Sequence, residues 1–464
     1  MSRLKVMVVT IGDERQEFYN TRLSTVREEN EKLRKLLQKD WEADFSDIIY
    51  TYQQANECIS RMKKAGNVCI ILHLPVWGMP SLAPHFARAS EFPVVLLGNT
   101  RPESSSLVSL LAAAGMLDQA GLECIRIAGE LDGPELQRKL KDFITACKAA
   151  AQLRESRFCA FGGRSIGIGT GTADPMQWQR VFGVDFDHCD QLEIVRRAKL
   201  QDGARTERYL DWLTKSVGSV RMGQGLTKSS LERQIRSYLA MKDIVQERGY
   251  DFAGIKCQTE LSDGYALQCV GVALMNGSWD AEGEKKPIPV SCECDCDGAL
   301  TMYLLSLSSC SSPSSLSDIK LFSQERREFV LANCGSMAPW FANRTDPVKA
   351  LGKVNLLPHV FGKAGGAAMQ FVASDGDVTV ARLCRSRGKY VMHCFEGRME
   401  QRPLEELRKT TWCYPHQFIR ADINYEAFFQ TIGSNHLHTV YGKYKEVLRQ
   451  ICAILKIGFI CYNE

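Results

Sequence analysis

The stretch Ser291-Cys-Glu-Cys-Asp-Cys-Asp-Gly-Ala-Leu-Thr-Met302 decides how this chain is read. It follows the apolar residues Ile288, Pro289 and Val290, and it brings Glu293, Asp295 and Asp297 together on alternate positions. At Gly298 it opens a second apolar run. That order spells a strand, an acidic turn and a helix. In open α/β sheets ligands gather at the carboxyl ends of strands. An oxygen-rich cluster there suits hard divalent cations such as Mg²⁺ or Mn²⁺. The competing reading is a solvated acidic turn whose charge complements the dipole of the following helix. On an extended backbone, Cys292, Cys294 and Cys296 would share one face and the three carboxylates the other.

Upstream, the pattern alternates. Short β-rich runs at 4–9, 68–72, 94–97 and 123–127 are separated by amphipathic segments at 18–38, 53–64, 104–114 and 134–153. Such alternation predicts a parallel sheet with crossover helices. A second α/β unit is expected from about residue 156. Its strands are at 158–162, 252–256, 288–292 and 316–322, and its helices at 175–182, 190–198, 206–215, 226–247, 262–274 and 299–307. From about residue 325 the runs shorten to 329–332, 368–372, 378–383 and 389–395, with turn signals between them. They predict a small antiparallel barrel or sandwich, closed by a helix at 441–455. The Ser-rich stretch 308–317 reads as a flexible surface loop. The expected division is 1–155, 156–324 and 325–464: two parallel-sheet α/β domains, then a β-rich, barrel-like C-terminal domain.

Composition narrows the function classes. The chain has 464 residues, 45% hydrophobic and 24% charged, with a net charge of +4 and no basic block. This fits a globular protein and gives no footprint for nucleic acid. No run approaches the roughly 18 apolar residues of a membrane span. Met1 to Thr10 reads as a core strand, not a leader, so a cytoplasmic location is expected. The 18 cysteines include no Cys-x-x-Cys pair, and most sit singly in apolar runs. That pattern suits buried reduced thiols rather than a disulfide framework.

Three further motifs carry chemistry. The glycine run from Gly162 to Gly171 invites a phosphate-cradle reading, but it has no Gly-Lys-Ser/Thr, and Thr172 stands where a dinucleotide fingerprint needs glycine. Close strand–loop packing is the expectation. In Gly254-Ile-Lys-Cys-Gln-Thr-Glu-Leu-Ser-Asp263, Lys256, Gln258 and Glu260 alternate and can project together into a cleft; the alternative is a capped helix start. Ile432-Gly-Ser-Asn-His-Leu-His438 puts Asn435 and His436 on a turn. With an acidic turn elsewhere, that histidine offers a mixed carboxylate–imidazole site, which Mn²⁺ tolerates.

Taken in order, the segments 254–263, 293–302, 163–197 and Ser434-Asn-His436 resemble the L-fucose isomerase family and, more distantly, L-arabinose isomerase. The resemblance runs over nearly the whole chain and implies a metal-dependent aldose–ketose isomerase with Mn²⁺, or Mg²⁺ or Co²⁺, as cofactor. It implies metal ligation by Glu293, Asp318 and His436, with Asp295 as the alternative to Asp318, and acid–base roles for Glu293 and Asp318. Substrate contacts fall on Gln258, Asn435, Trp77 (given in the family by a neighbouring subunit) and Arg15. A homo-oligomer, commonly a hexamer, is implied. The chain is shorter than typical members, so the sugar is expected to be a pentose, deoxyhexose or modified hexose. The alternatives are isomerisation of a sulfonated, sulfoquinovose-type sugar, for which Arg15, Arg101 and Arg164 are available, and sugar binding without catalysis.

Overall fold

A computed structural model describes residues 5–410 and 414–463. Leu4, the expected start of the first strand, lies outside them. The contacts divide the chain into two compact units, ending and beginning at Ala151 and Gln152.

The first unit holds a parallel sheet of β1 (Lys5–Thr10), β2 (Glu42–Phe45), β3 (Asn67–Leu74), β4 (Val94–Gly98) and β5 (Ile125–Ala128), in the order β2-β1-β3-β4-β5. The central strand β3, Asn-Val-Cys-Ile-Ile-Leu-His-Leu, is buried at every residue. A strand covered on both faces needs such a continuous run. The helix Tyr52–Lys64 begins at a capping box formed by Thr51 and Gln54. Two elements escaped the sequence. β2 is Glu-Ala-Asp-Phe on the sheet edge, half-buried throughout, and so lacks an apolar signature. The helix Leu82–Ser90 carries Pro84 in its first turn, where proline is tolerated. The long helix expected over 18–38 is instead a short piece, Gln16–Asn20, and a longer one, Leu23–Leu37.

The second unit joins two larger sheets, beside a three-stranded and a two-stranded one. One is parallel: β6 (Arg157–Phe161), β7 (Asp185–Cys189), β8 (Phe252–Ile255) and β9 (Val290–Cys292), in the order β9-β8-β6-β7. The other consists of β10 (Ser315–Ser323), β11 (Glu328–Ala332), β12 (Gly376–Ser386), β13 (Lys389–Met399), β14 (His416–Arg420), β15 (His436–Tyr441) and β16 (Gly458–Cys461). Its order is β12-β15-β10-β11-β14-β13, and β12 also pairs with β13, so six antiparallel strands close into a barrel. Closure removes the sheet edges. β16 adds parallel to the free side of β13. The fold is therefore mixed α/β with two parallel sheets and a β-rich barrel.

Several local expectations change. The strand expected at 316–322 forms, but as barrel strand β10 rather than as part of the parallel sheet. The segment expected at 368–372 forms Ala367–Gln370 and pairs with Asn355–Pro358 outside the barrel. The Ser-rich stretch is not a surface loop: Ser308, Ser309, Ser314, Ser315 and Ser317 are all buried. Their hydroxyls are satisfied locally at three points, where Ser308, Ser309 and Ser314 donate to the carbonyls of Leu304, Leu305 and Met302. The helix expected at 262–274 is two pieces, Glu260–Gly264 and Cys269–Asn276.

Candidate metal and active site

β9 ends at Cys292, and the chain then turns sharply. Glu293 (φ 60°) and Cys294 (φ 49°) both occupy the left-handed region, at a cost of about 1–2 kcal/mol each. The extended alternation of thiols and carboxylates is thereby replaced by a kink. Backbone bonds hold it: Cys294 N–H donates to the Ile255 carbonyl at 2.9 Å, and Asp295 N–H to the Cys292 carbonyl at 3.2 Å. Gly254 on β8 makes the close approach possible, because a Cβ there would lie 2.9 Å from Ser291 Oγ and 3.3 Å from Cys294 Cα. Strained backbone of this kind concentrates at functional sites. Asp295 then caps the helix Cys296–Ser308, accepting the Gly298 N–H at 2.9 Å.

The barrel supplies the rest. Asp318 on β10 and His436 on β15 are direct cross-strand partners. His436 Nε2 lies 3.4 Å from Glu293 Oε2 and 3.5 Å from Asp318 Oδ1. The exposed Asn435 donates to Asp318 Oδ1 at 3.1 Å. Behind the imidazole, Nδ1 meets Asp295 Oδ2 at 2.8 Å. An ionised carboxylate only accepts, so Nδ1 carries the proton and donates, and Nε2 points toward Glu293 and Asp318. Asp295 is engaged further by Arg382, which donates from both terminal nitrogens, the longer bond at 3.1 Å. Arg382 also donates to His438 Nε2 at 3.1 Å, which leaves His438 Nδ1–H to donate to the Ser315 carbonyl.

The arrangement is layered by burial. The side chains of Arg382, Asp295 and His436 are 1%, 1% and 2% exposed, whereas Glu293 and Asp318 reach 16% and 26%. Burial alone would push the Asp295 carboxyl up, but Arg382 and His436 reverse this and hold it far below the usual range. Burial likewise opposes charge on His436. Its bond to Asp295 and the nearby Glu293 outweigh that, pushing the imidazole up to about 10, so Nε2 also carries a proton at neutral pH, the one a bound cation would displace to leave the Nδ1–H tautomer.

The donor set fits a divalent cation. Glu293 Oε2 is buried and has no hydrogen-bond partner, although it faces an imidazole nitrogen 3.4 Å away. A carboxylate on the far nitrogen is how ligating histidines are commonly oriented. Glu293 and Asp318 each bring an oxygen near His436 Nε2, donor types that Mn²⁺ accepts together, while the oxygens of Asp295 are already committed to Arg382, His436 and a helix terminus.

The other expected contacts sit differently. Gln258 is half-buried, three residues past β8, whose terminal Ile255 pairs with Cys292 next to Glu293. Its neighbours Lys256 and Glu260 form an ion pair with each other at 2.5 Å. Trp77 and Arg15 belong to the first unit. Both engage the buried Asp13, whose carboxyl is lowered chiefly by the Arg15 hydrogen bond (Nη2–Oδ2 2.6 Å), with a smaller contribution from Trp77. Arg101 is paired with Glu29 at 2.9 Å and Arg164 is exposed. The glycine run packs closely: a Cβ on Gly171 would lie 3.2 Å from Asp295 Cα. The Thr170 and Thr172 carbonyls accept from Arg382 and Arg385. This loop presents acceptors to guanidinium groups, the reverse of a phosphate cradle.

Sequence reading missed Arg382. The signal was present, because Val378, Val380 and Arg382 share one face of β12 and the two valines are fully buried. A charge on such a face marks a paired buried ion. Asp13 was also missed, as it lies in the polar turn after β1.

The second unit thus defines a class of α/β protein in which a parallel sheet and a closed barrel bring two carboxylates and an imidazole together. Family models match in two places: the L-fucose isomerase first N-terminal domain over residues 11–155 and the L-fucose isomerase C-terminal domain over 331–463. The chain belongs to the L-fucose isomerase family. Its similarity to curated members is remote. It is 23% identical over 296 residues to the L-fucose isomerase of Streptococcus pneumoniae serotype 4, covering 56% of this chain and 49% of that protein. It is 26% identical over 231 residues to that of Salmonella paratyphi B, covering 42% and 39%. The chain thus spans about half the length, or less, of these relatives. Among the described residues, no helix is long and apolar enough to cross a membrane.

Proposed function

We propose that the chain is a divalent-metal-dependent aldose–ketose isomerase acting on a pentose, deoxyhexose or modified hexose. One observation carries the reading: the buried, unpartnered Glu293 Oε2 facing His436 Nε2, with Asp318 at 3.5 Å from the same nitrogen. In this reading Glu293, Asp318 and His436 hold the cation, Mn²⁺ by preference. When bound, the cation supplies Lewis acidity at the sugar oxygens.

The remaining work belongs to the chain. Isomerisation moves a proton between adjacent carbons through an enediol, so it needs a base and an acid beside the C1–C2 edge. Glu293 and Asp318 are the two carboxylates of the cluster that are open enough to reach a substrate. One carboxylate takes the proton from C2 as the other gives a proton to O1, forming the enediol; the first then returns its proton to C1 as the second takes the proton of O2, which becomes the ketose carbonyl. Asn435, bonded to Asp318, orients that carboxylate and offers its amide to a sugar hydroxyl. Gln258, three residues past β8, orients a second hydroxyl. Asp295 and Arg382 touch no substrate and instead hold His436 in the Nδ1–H tautomer. By analogy with the family, a second copy of the chain would bring Trp77 to the sugar beside Arg15, in a closed homo-oligomer. The many unpaired, buried thiols support work in a reducing cytoplasm.

The test is a proton NMR assay in D₂O with metal-stripped protein, with and without Mn²⁺, on L-fucose, D-arabinose, L-arabinose and a sulfonated glucose. The expected result is metal-dependent ketose formation with deuterium entering at C1 of the ketose, and at C2 of the aldose on reversal, abolished by Glu293→Gln with the fold intact. Full turnover by Glu293→Gln would sink the assignment.

A further inference from the structure

A second donor cluster reaches the last residue of the same strand, Cys292. Donor atoms of Cys269, Cys334 and His359 all lie within 4.8 Å of one another. Cys292, the residue before Glu293, has its Sγ 3.9 Å from Cys334 Sγ. A tetrahedral Zn²⁺ with bonds of about 2.3 Å to sulfur spaces its sulfurs about 3.8 Å apart. The Cys292–Cys334 spacing matches one such edge, and because Cys292 does not lie within 4.8 Å of both Cys269 and His359, closing the site draws its thiol toward them.

The four residues come from separate segments. Cys269 opens the helix Cys269–Asn276, Cys292 ends β9, Cys334 follows β11 and His359 follows the strand Asn355–Pro358. Cys269, Cys292 and His359 are buried and Cys334 is half-buried. His359 Nδ1 accepts the Phe361 N–H at 3.0 Å, so Nε2 carries the proton and donates to the Cys334 carbonyl at 2.7 Å. Coordination through Nε2 would replace that single hydrogen bond. Three thiols and an imidazole favour a borderline or soft cation over Mn²⁺ or Mg²⁺.

We propose that Cys269, Cys292, Cys334 and His359 form a structural site for Zn²⁺ or a comparable thiophilic cation, distinct from the oxygen-rich site that begins one residue later at Glu293. Binding exchanges thiol protons for the metal and ties four chain segments together, so its binding energy adds to the stability of the second unit. The inference is independent of the isomerase reading.

The test uses the full chain, reduced and stripped of metal, then titrated with Co²⁺ as a spectroscopic probe and with Zn²⁺. The expected result is a thiolate-to-cobalt charge-transfer band with tetrahedral visible absorption that saturates at one equivalent and persists in Glu293→Gln. Cys334→Ser should weaken Co²⁺ binding at this site by more than about tenfold. As a readout that does not depend on the variant folding, Zn²⁺ and not Mn²⁺ should protect Cys269, Cys292 and Cys334 of the unmodified chain from alkylation, mapped by mass spectrometry. Absence of the charge-transfer band in the wild-type chain, equal alkylation with and without Zn²⁺, or a Cys292–Cys334 disulfide in place of metal binding would each overturn the proposal.

Discussion

Asp295 and Asp297 are two residues apart, both about 1% exposed, and each faces an arginine, yet their carboxyls shift in opposite directions. Asp295 receives two bonds from a fully buried guanidinium, one from an imidazole and one from a helix N–H. Asp297 receives one guanidinium bond, from Arg385 Nε at 3.0 Å, with Trp178 Nε1 and the Tyr390 hydroxyl each at 3.2 Å from Oδ1. Arg385 is itself 25% exposed, so its charge is partly spent on water. Desolvation dominates there and pushes the Asp297 carboxyl up to about 6. The same penalty at Asp295 is overcome, and the carboxyl stays ionised. The difference teaches that burial does not set a carboxylate's state; the number of charged donors does. It also separates roles: Asp295 is a fixed charge that orients His436, and Asp297 is a polar support beneath an aromatic wall of Trp178, Phe158 and Phe252.

Removing the charge from each tests the contrast most strongly. Asp295→Asn leaves Arg382 buried without a counter-ion, and loss of one partner of a buried pair costs about 3–5 kcal/mol. It also frees the His436 ring to adopt either tautomer, so Mn²⁺ affinity should fall about 10–100-fold. Calorimetric unfolding in chelator and Mn²⁺ titration by isothermal calorimetry read the two effects separately. An Asp295→Asn chain with wild-type stability and affinity would show that Arg382 and His436 do not depend on this carboxylate.

Asp297→Asn should act in the opposite direction. A carboxyl whose folded-state value lies above its unfolded one binds its proton more tightly when folded. Its stabilising contribution is complete below about pH 4 and is lost as pH rises through about 6. The amide resembles the protonated acid, so the variant should match wild type near pH 4 and exceed it at pH 7. The gain is at most about 3 kcal/mol, from roughly two units at 1.36 kcal/mol each. Thermal unfolding across pH 4–7 in chelator measures this, and a variant less stable than wild type at pH 7 would mean that the Arg385 pair outweighs desolvation.

How much of this was legible follows from the kind of signal each part leaves. The strand–turn–helix at 291–302 was readable because apolar runs and carboxylates alternate in order, and the buried run of β3 was readable for the same reason. His436 and Asp318 were reached through family resemblance, since nothing local marks two residues 118 positions apart as cross-strand partners. The barrel's first strand was misassigned because an isolated apolar run does not say which sheet it joins. Asp295 entered as a possible ligand because sequence counts carboxylates and not their partners. Its donor, Arg382, lies 87 residues away and became visible only once β12 was placed against the helix cap.

The smallest effect isolates one neutral donor. The Tyr390 hydroxyl accepts from Trp178 Nε1 at 2.9 Å and donates to Asp297 at 3.2 Å. Tyr390→Phe removes a bond that favours the ionised carboxylate, worth about 1 kcal/mol. If Asp297 lacks charge stabilisation for want of donors, losing this one should raise its value by roughly 0.7 units. The pH at which the fall in stability levels off should move up by the same amount, while its onset near pH 4, set by the unfolded chain, and the Mn²⁺ affinity, which depends on Asp295, stay unchanged. Carbon-13 NMR of labelled aspartate carboxyls follows both residues in one titration. An Asp297 midpoint that does not move on losing the phenol would show that bulk desolvation alone, and not the donor count, separates the two carboxylates.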